Sequence, residues 1–251
     1  MKKLAILDYG IGGLDLYRQL KNINPAFPIT YFSDSGAAPY GKLDEEKLII
    51  RVQKIINWLK NRGVEQLVIA CHSASTVAYR LSGIPIVDMI AATKETVRQA
   101  SSLKRLGIIG GGRTIESLIY RNYAQELGLV VVDNNAQIFS IMIENDLIHS
   151  FDFKAHIATV LDPLDKIDGL LLACTHYSVI QEQLSSYYDH QIQMLDPMEQ
   201  LISQHFSNLK NQIFDKHIFD VAYTTGNVKL MVKLANQLYG LANLNVCHVT
   251  I

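Results

Sequence analysis

An α/β protein of two similar units, each a mainly parallel sheet flanked by helices, is predicted by three features of the sequence. Short apolar, β-branched runs alternate with helical patterns through most of the 251 residues. The pattern restarts partway: LAILDYG at residues 4–10 is paralleled by LGIIGGG at residues 106–112. A second pair repeats in the same way, with EQLVIACHSAS at residues 65–75 and DGLLLACTHYS at residues 168–178. Cys71 and Cys174 thereby stand at equivalent places in the two units.

The elements follow in order. Leu4–Leu7 reads as a strand running into the loop Asp8-Tyr9-Gly10-Ile11-Gly12-Gly13 and then a helix. Ile29–Ser33 is a second strand. Residues 44–62 give the clearest helix: Asp44 can cap it, Glu45 and Glu46 fill the first turn, Leu48, Val52, Ile55 and Leu59 recur at helical spacing, and Gly63 stops it. Leu67–Ala70 and Ile84–Val87 read as strands, each followed by a helix. In the second unit Leu106–Ile109, Leu129–Val132 and Leu170–Ala173 are strands. Residues 114–127 read as one helix stopped by Gly128, and residues 137–162 as mainly helical. FDVAYTTGN and a helix over Val228–Leu238 are expected to return to the first unit. The domains are therefore expected to be residues 1–94 with 205–251, and residues 95–204.

Bulk properties narrow the function. Hydrophobic residues make up 49% and charged residues 19%, the balance of a well-buried protein. A net charge of −1 and the lack of a basic block give no reason to expect nucleic-acid or membrane-surface binding. Asp8 and the glycines interrupt MKKLAIL too early for a signal peptide, and no apolar run reaches the ~18 residues a membrane helix needs. Three widely spaced cysteines form neither a disulfide framework nor paired zinc spacing. A reducing, cytoplasmic setting with free thiols is expected, with no metal and no cofactor.

The glycine loops fail the dinucleotide fingerprint, because Asp15 and Ile115 stand where the third glycine belongs. They are either tight strand-to-helix turns or nests of N–H groups suited to a carboxylate. Strand ends are where open parallel sheets bind ligands. Asp8, the Gly110–Gly112 loop and both cysteines fall there. Inverting the α-carbon of an amino acid requires a base on one face and an acid on the other, with the roles exchanged in reverse. Two thiols in similar settings suit that task. A free thiol titrates near about 8.5, and a helix N-terminus lowers this, so thiol and thiolate are both accessible near neutrality. Each cysteine precedes an expected helix start. Asp8 and His176 are placed either to relay protons beside a thiol or to serve as local caps. Pro39-Tyr40-Gly41 reads as a turn, and Thr114 and Thr175 as caps or carboxylate ligands.

Nearly end to end, these residues resemble the glutamate racemase family of the cofactor-independent aspartate/glutamate racemases. That family's D-S-G-x-G-G is matched by Asp8-Tyr9-Gly10-Ile11-Gly12-Gly13, its P-Y-G by Pro39-Tyr40-Gly41, and its A-C-N-T-A-S by residues 70–75. Its T-I-x-S is matched at residues 114–117, its C-T-H-Y-P at residues 174–178, and its T-G-D by Thr225-Gly226-Asn227. The resemblance implies two domains about a pseudo-twofold axis with substrate in the cleft, and a homodimer. It implies Cys71 and Cys174 as the acid and base, assisted by Asp8, His176 and Glu144. Substrate contacts would come from Tyr9, Tyr40, Gly41, His72, Ser73, Thr114 and Thr175. The implied reaction is L-/D-glutamate interconversion without pyridoxal phosphate, supplying D-glutamate for peptidoglycan. Departures fall in the pocket: Tyr9 replaces serine, His72 asparagine, Ser73 threonine and Ser178 proline. These changes bring in two alternatives: racemisation of aspartate or another small amino acid, and a homologue that binds without turnover.

Overall fold

The computed structural model describes residues 3–100, 102–214 and 220–251. Met1 and Lys2 of the opening run, and Phe219 at the head of FDVAYTTGN, lie outside the described residues. Strands β1 (Leu4–Asp8), β2 (Ile29–Ser33), β3 (Gln66–Ile69) and β4 (Ile86–Asp88) build one parallel sheet. Strands β5 (Arg105–Gly110), β6 (Val130–Asn135), β7 (Gly169–Ala173) and β8 (Gln193–Leu195) build another. Strand order is β2-β1-β3-β4 in the first and β6-β5-β7-β8 in the second, so the sequence duplication is also a duplication of topology. The tail strands β9 (Val221–Thr224) and β10 (Val246–His248) extend the first sheet beside β2, so the chain returns to the first unit.

Both faces of each sheet are covered, which is why the strands read as apolar runs rather than as an alternation. In β1, Leu4 and Ile6 point into one core and Ala5 and Leu7 into another. The Ala5–Leu7 core lies under helix α2 (Glu45–Lys60), whose Leu48, Val52, Ile55, Ile56 and Leu59 are buried. Asp44 caps that helix by accepting from the Lys47 N–H at 2.9 Å, and Gly63, at φ +79°, ends the turn after it. The other core is shared between the sheets. It joins Leu4, Ile6 and Leu14 to Phe139, Leu170 and Leu172 in one cluster. Helix α4 (Met89–Gln99) crosses from the first unit to the second and packs on α10 (Met198–Phe206). The expected domain boundaries at 94/95 and 204/205 fall inside these two helices.

The structure corrects several element boundaries. The expected helix over residues 114–127 is two helices, α5 (Gly112–Glu116) and α6 (Ile119–Glu126), separated at Leu118 with φ +57°. The Ser117 hydroxyl donates back to the Thr114 carbonyl at 2.7 Å, one of the local bonds that compete with helix continuation. Residues 137–162 likewise divide into α7 (Gln137–Glu144) and α8 (Phe151–Leu161), the latter capped by Ser150. The helix after Cys71, α3 (His72–Ser75), has four residues. Cys174 is followed by a 3₁₀ segment, Thr175–Ile180, before α9 (Gln181–Tyr187).

Candidate active site

Carboxyl ends of β1, β3, β5 and β7 converge where the two sheets meet, and one small cavity lies there. Two cysteines line it, Cys71 at the end of β3 and Cys174 at the end of β7. The rest of the wall includes Tyr9, Tyr40, Gly41, Ser73, Thr175 and His176. The cavity measures about 20 Å³, room for about one water molecule. An amino acid enters only if the walls part.

Each thiol has its own partner set. The Cys174 sulfur lies 3.7 Å from His176 Nδ1, and His176 Nε2 lies 2.6 Å from Glu144 Oε1. The same Glu144 oxygen accepts the Ile11 N–H at 2.6 Å. Burial works against a charged His176, yet its bonds to Cys174 and Glu144 outweigh burial and hold its pKa well above the ordinary imidazole value. On the other side, burial pushes the Cys71 thiol well up, and the Asp8 carboxylate pushes it further. This overturns the expectation that a helix N-terminus would lower it. The dipole effect needs a helix, and α3 is a single turn.

Asp8 and Glu144 stand behind the wall rather than in it. Asp8 is fully buried, and burial lifts its carboxyl above the usual range. Its Oδ1 accepts the Gly10 N–H at 3.0 Å and its Oδ2 the Thr175 hydroxyl at 2.9 Å. The first glycine loop therefore does present N–H groups to carboxylates, but the carboxylates are the protein's own Asp8 and Glu144. Space there requires glycine: a Cβ at Gly12 would come within 2.8 Å of the His176 backbone nitrogen, and one at Gly10 would collide with the Glu144 carboxylate.

Two expected substrate contacts lie off the cavity. His72 is buried with its Nδ1 2.9 Å from the Tyr120 hydroxyl and its ring edge-on to that tyrosine. Burial lowers its pKa to about 3, so the ring is neutral. Thr114 sits behind Ser73, Oγ1 to Oγ at 3.1 Å. Tyr9 packs on Tyr40 with ring centroids 5.5 Å apart, and burial raises its phenol to about 12. Tyr40 is anchored in turn: its hydroxyl donates to Asp34 Oδ2 at 2.7 Å, and Arg51 clamps both Asp34 oxygens at 2.8 and 2.6 Å. The sequence reading missed Asp34 and Arg51. It also missed Gln137 and Ser140, which line the cavity from α7. Their signal is two polar residues three apart in QIFSIMIE, an otherwise apolar helix until its final glutamate.

Two parallel-sheet units of the same strand order, with a pair of thiols on the cavity between them, belong to an α/β isomerase, a racemase. The profile of the Asp/Glu/hydantoin racemase family matches residues 12–204, and the chain belongs to that family. It is similar to the glutamate racemase of Hydrogenobaculum sp. (strain Y04AAS1), at 28% identity over 97% of both chains. It is 30% identical to the glutamate racemase of Aquifex aeolicus (strain VF5), over 74% of this chain and 76% of that one. In fold it is similar to the glutamate racemase of Francisella tularensis crystallised with D-glutamate, with a TM-score of 0.85, 24% identity and coverage of 99% and 97% of the two chains. Among the described residues no helix is long and apolar enough to cross a membrane.

Proposed function

We propose that the chain interconverts L- and D-glutamate by proton transfer between Cys71 and Cys174 through the α-carbon. The observation that carries this is the placement of both cysteines, at the ends of equivalent strands, on the wall of one cavity. One sulfur, as thiolate, takes the α-proton; the C–H electron pair stays on the α-carbon, delocalised into the carboxylate. The other sulfur, as thiol, delivers its proton to the opposite face. The two sulfurs then hold each other's starting protonation states. Cys71 is the donor in one direction and Cys174 in the other, with His176 and Glu144 placed beside Cys174. The next turnover in that direction needs the sulfurs reset, and His176 is placed to relay the proton. The family resemblance adds a homodimer in the cytoplasm, which sedimentation and fractionation test.

Glutamate as substrate is supported by the names of the Hydrogenobaculum and Aquifex relatives and by the ligand of the Francisella protein. A second reading, aspartate, is favoured by the Tyr9 ring in the wall of so small a cavity. Single enantiomers of each acid, incubated in D2O without pyridoxal phosphate, separate the two. Deuterium at the α-carbon with inversion of glutamate supports the first reading; turnover of aspartate alone replaces it with the second. No exchange with any amino acid leaves a binding protein. Cys71→Ala and Cys174→Ala should each abolish inversion, and a fully active variant removes that cysteine from the mechanism. Enantiomers have equal free energy, so kcat/KM must agree for both at every pH. The unlike surroundings of the two thiols should instead give unequal KM and kcat for the two directions.

A further inference from the structure

Gln137 presents a buried acceptor to the thiol cavity, and no residue in the described structure donates to it. The direction of its amide follows from Ser140, one turn along α7. A hydroxyl has one proton, and that of Ser140 goes to the Gln137 carbonyl at 2.9 Å. The Ser140 oxygen is then an acceptor toward the side chain, and it takes the Gln137 Nε2 donor at 2.7 Å. This leaves Oε1 as the end facing the seam between the units. The surrounding backbone is pared back to admit it. A Cβ on Gly111 would lie 2.8 Å from that oxygen, and one on Gly41, from the opposite unit, would collide with it.

We infer that Gln137 Oε1 receives the α-ammonium group of the substrate, with Ser140 locking the amide so that an oxygen, not an NH2, is offered. The inference rests on the amino-acid racemase reading above. An unpaired oxygen repels a carboxylate and attracts an N–H donor, and the donor common to every α-amino acid is its ammonium. A buried acceptor left unsatisfied is costly, so the closed cleft is completed when that group arrives. Gln137 is thereby a specificity-determining residue: it selects amino acids over diacids of the same length that lack nitrogen.

The test compares binding of L-glutamate and glutarate, the latter measured as a competitive inhibitor, in wild type, Gln137→Met, Gln137→Glu and Ser140→Ala. Gln137→Met keeps the shape and removes the acceptor. It should weaken glutamate on the order of tenfold or more, the range for a hydrogen bond to a charged group, and leave glutarate within about twofold. Gln137→Glu restores an acceptor and should restore the preference for glutamate. Ser140→Ala frees the amide and should reduce that preference by a smaller factor. Parallel weakening of both ligands, or no change in their ratio, overturns the inference while leaving the racemase reading intact. Retained glutarate binding certifies that a variant is folded. Should the deuterium assay select another acidic amino acid, that acid and its deaminated analogue replace the pair. Turnover of none overturns the parent reading and this inference together.

Discussion

Thr175, at the end of β7, donates its hydroxyl to Asp8, at the end of β1, across the junction of the two sheets at 2.9 Å. Both residues are buried, and the bond ties the two units together. Thr175→Val keeps the shape and orphans one carboxylate oxygen. The expected cost is about 1–3 kcal/mol of stability, read by urea denaturation, with Thr175→Ser close to wild type. An unchanged midpoint for the valine variant would show that Asp8 finds another donor.

His176 gives a pH dependence with a definite sign. Its folded pKa is raised above the imidazole value, so its stabilising contribution is complete below the unfolded value near about 6.5 and is lost as pH rises through the folded value. Glu144→Gln removes one of the groups raising it and should flatten that loss. Activity should fall on the order of 10- to 100-fold, less than the loss of a direct acid or base can reach, because Glu144 touches His176 and not the Cys174 sulfur. Parallel pH–stability curves for the two proteins would argue against the pairing.

His72 works in the opposite sense. Its folded pKa is lowered to about 3 by burial, against about 6.5 unfolded. The unfolded chain binds the extra proton, so stability is whole above about 6.5 and falls by about 1.4 kcal/mol per pH unit as pH drops through the window between these values. His72→Gln should remove that slope, seen as a difference between the two stability curves from pH 7 to 4. Because the ring faces Tyr120 rather than the cavity, KM should change little. A large rise in KM would return His72 to the substrate.

Much of this was readable in the chain for physical reasons. Strands covered on both faces must be apolar throughout, so β1, β5 and β7 announced themselves. A duplicated unit repeats its strand-end residues, so Cys71 and Cys174 identified each other. Side-chain direction was not readable. His72 sits beside Cys71 in sequence yet turns away from the cavity on a one-turn helix. Contacts closed by tertiary structure were also silent: nothing near Asp34 in the sequence points to Arg51, and Gln137 becomes notable only once its oxygen is found without a donor.

Tyr9 bears on which acid the site accepts. Its ring forms part of the wall of a cavity of about 20 Å³ and leans on Tyr40, itself fixed by Asp34. Burial keeps the phenol neutral, near a pKa of about 12, so the ring fills space and contributes no charge. Tyr9→Ser should enlarge the cavity and give up an aromatic pair worth about 0.5–1.5 kcal/mol, with a correspondingly small fall in melting temperature. The extra room benefits the longer acid more, so the ratio of kcat/KM for glutamate to that for aspartate should rise. One methylene in a pocket is worth about 10- to 200-fold in discrimination, which bounds the size of the change. Kinetics on both acids, wild type beside variant, decide the matter. If the ratio holds constant while stability drops, the ring supports the fold, and selection between the acids is made by other residues of the wall.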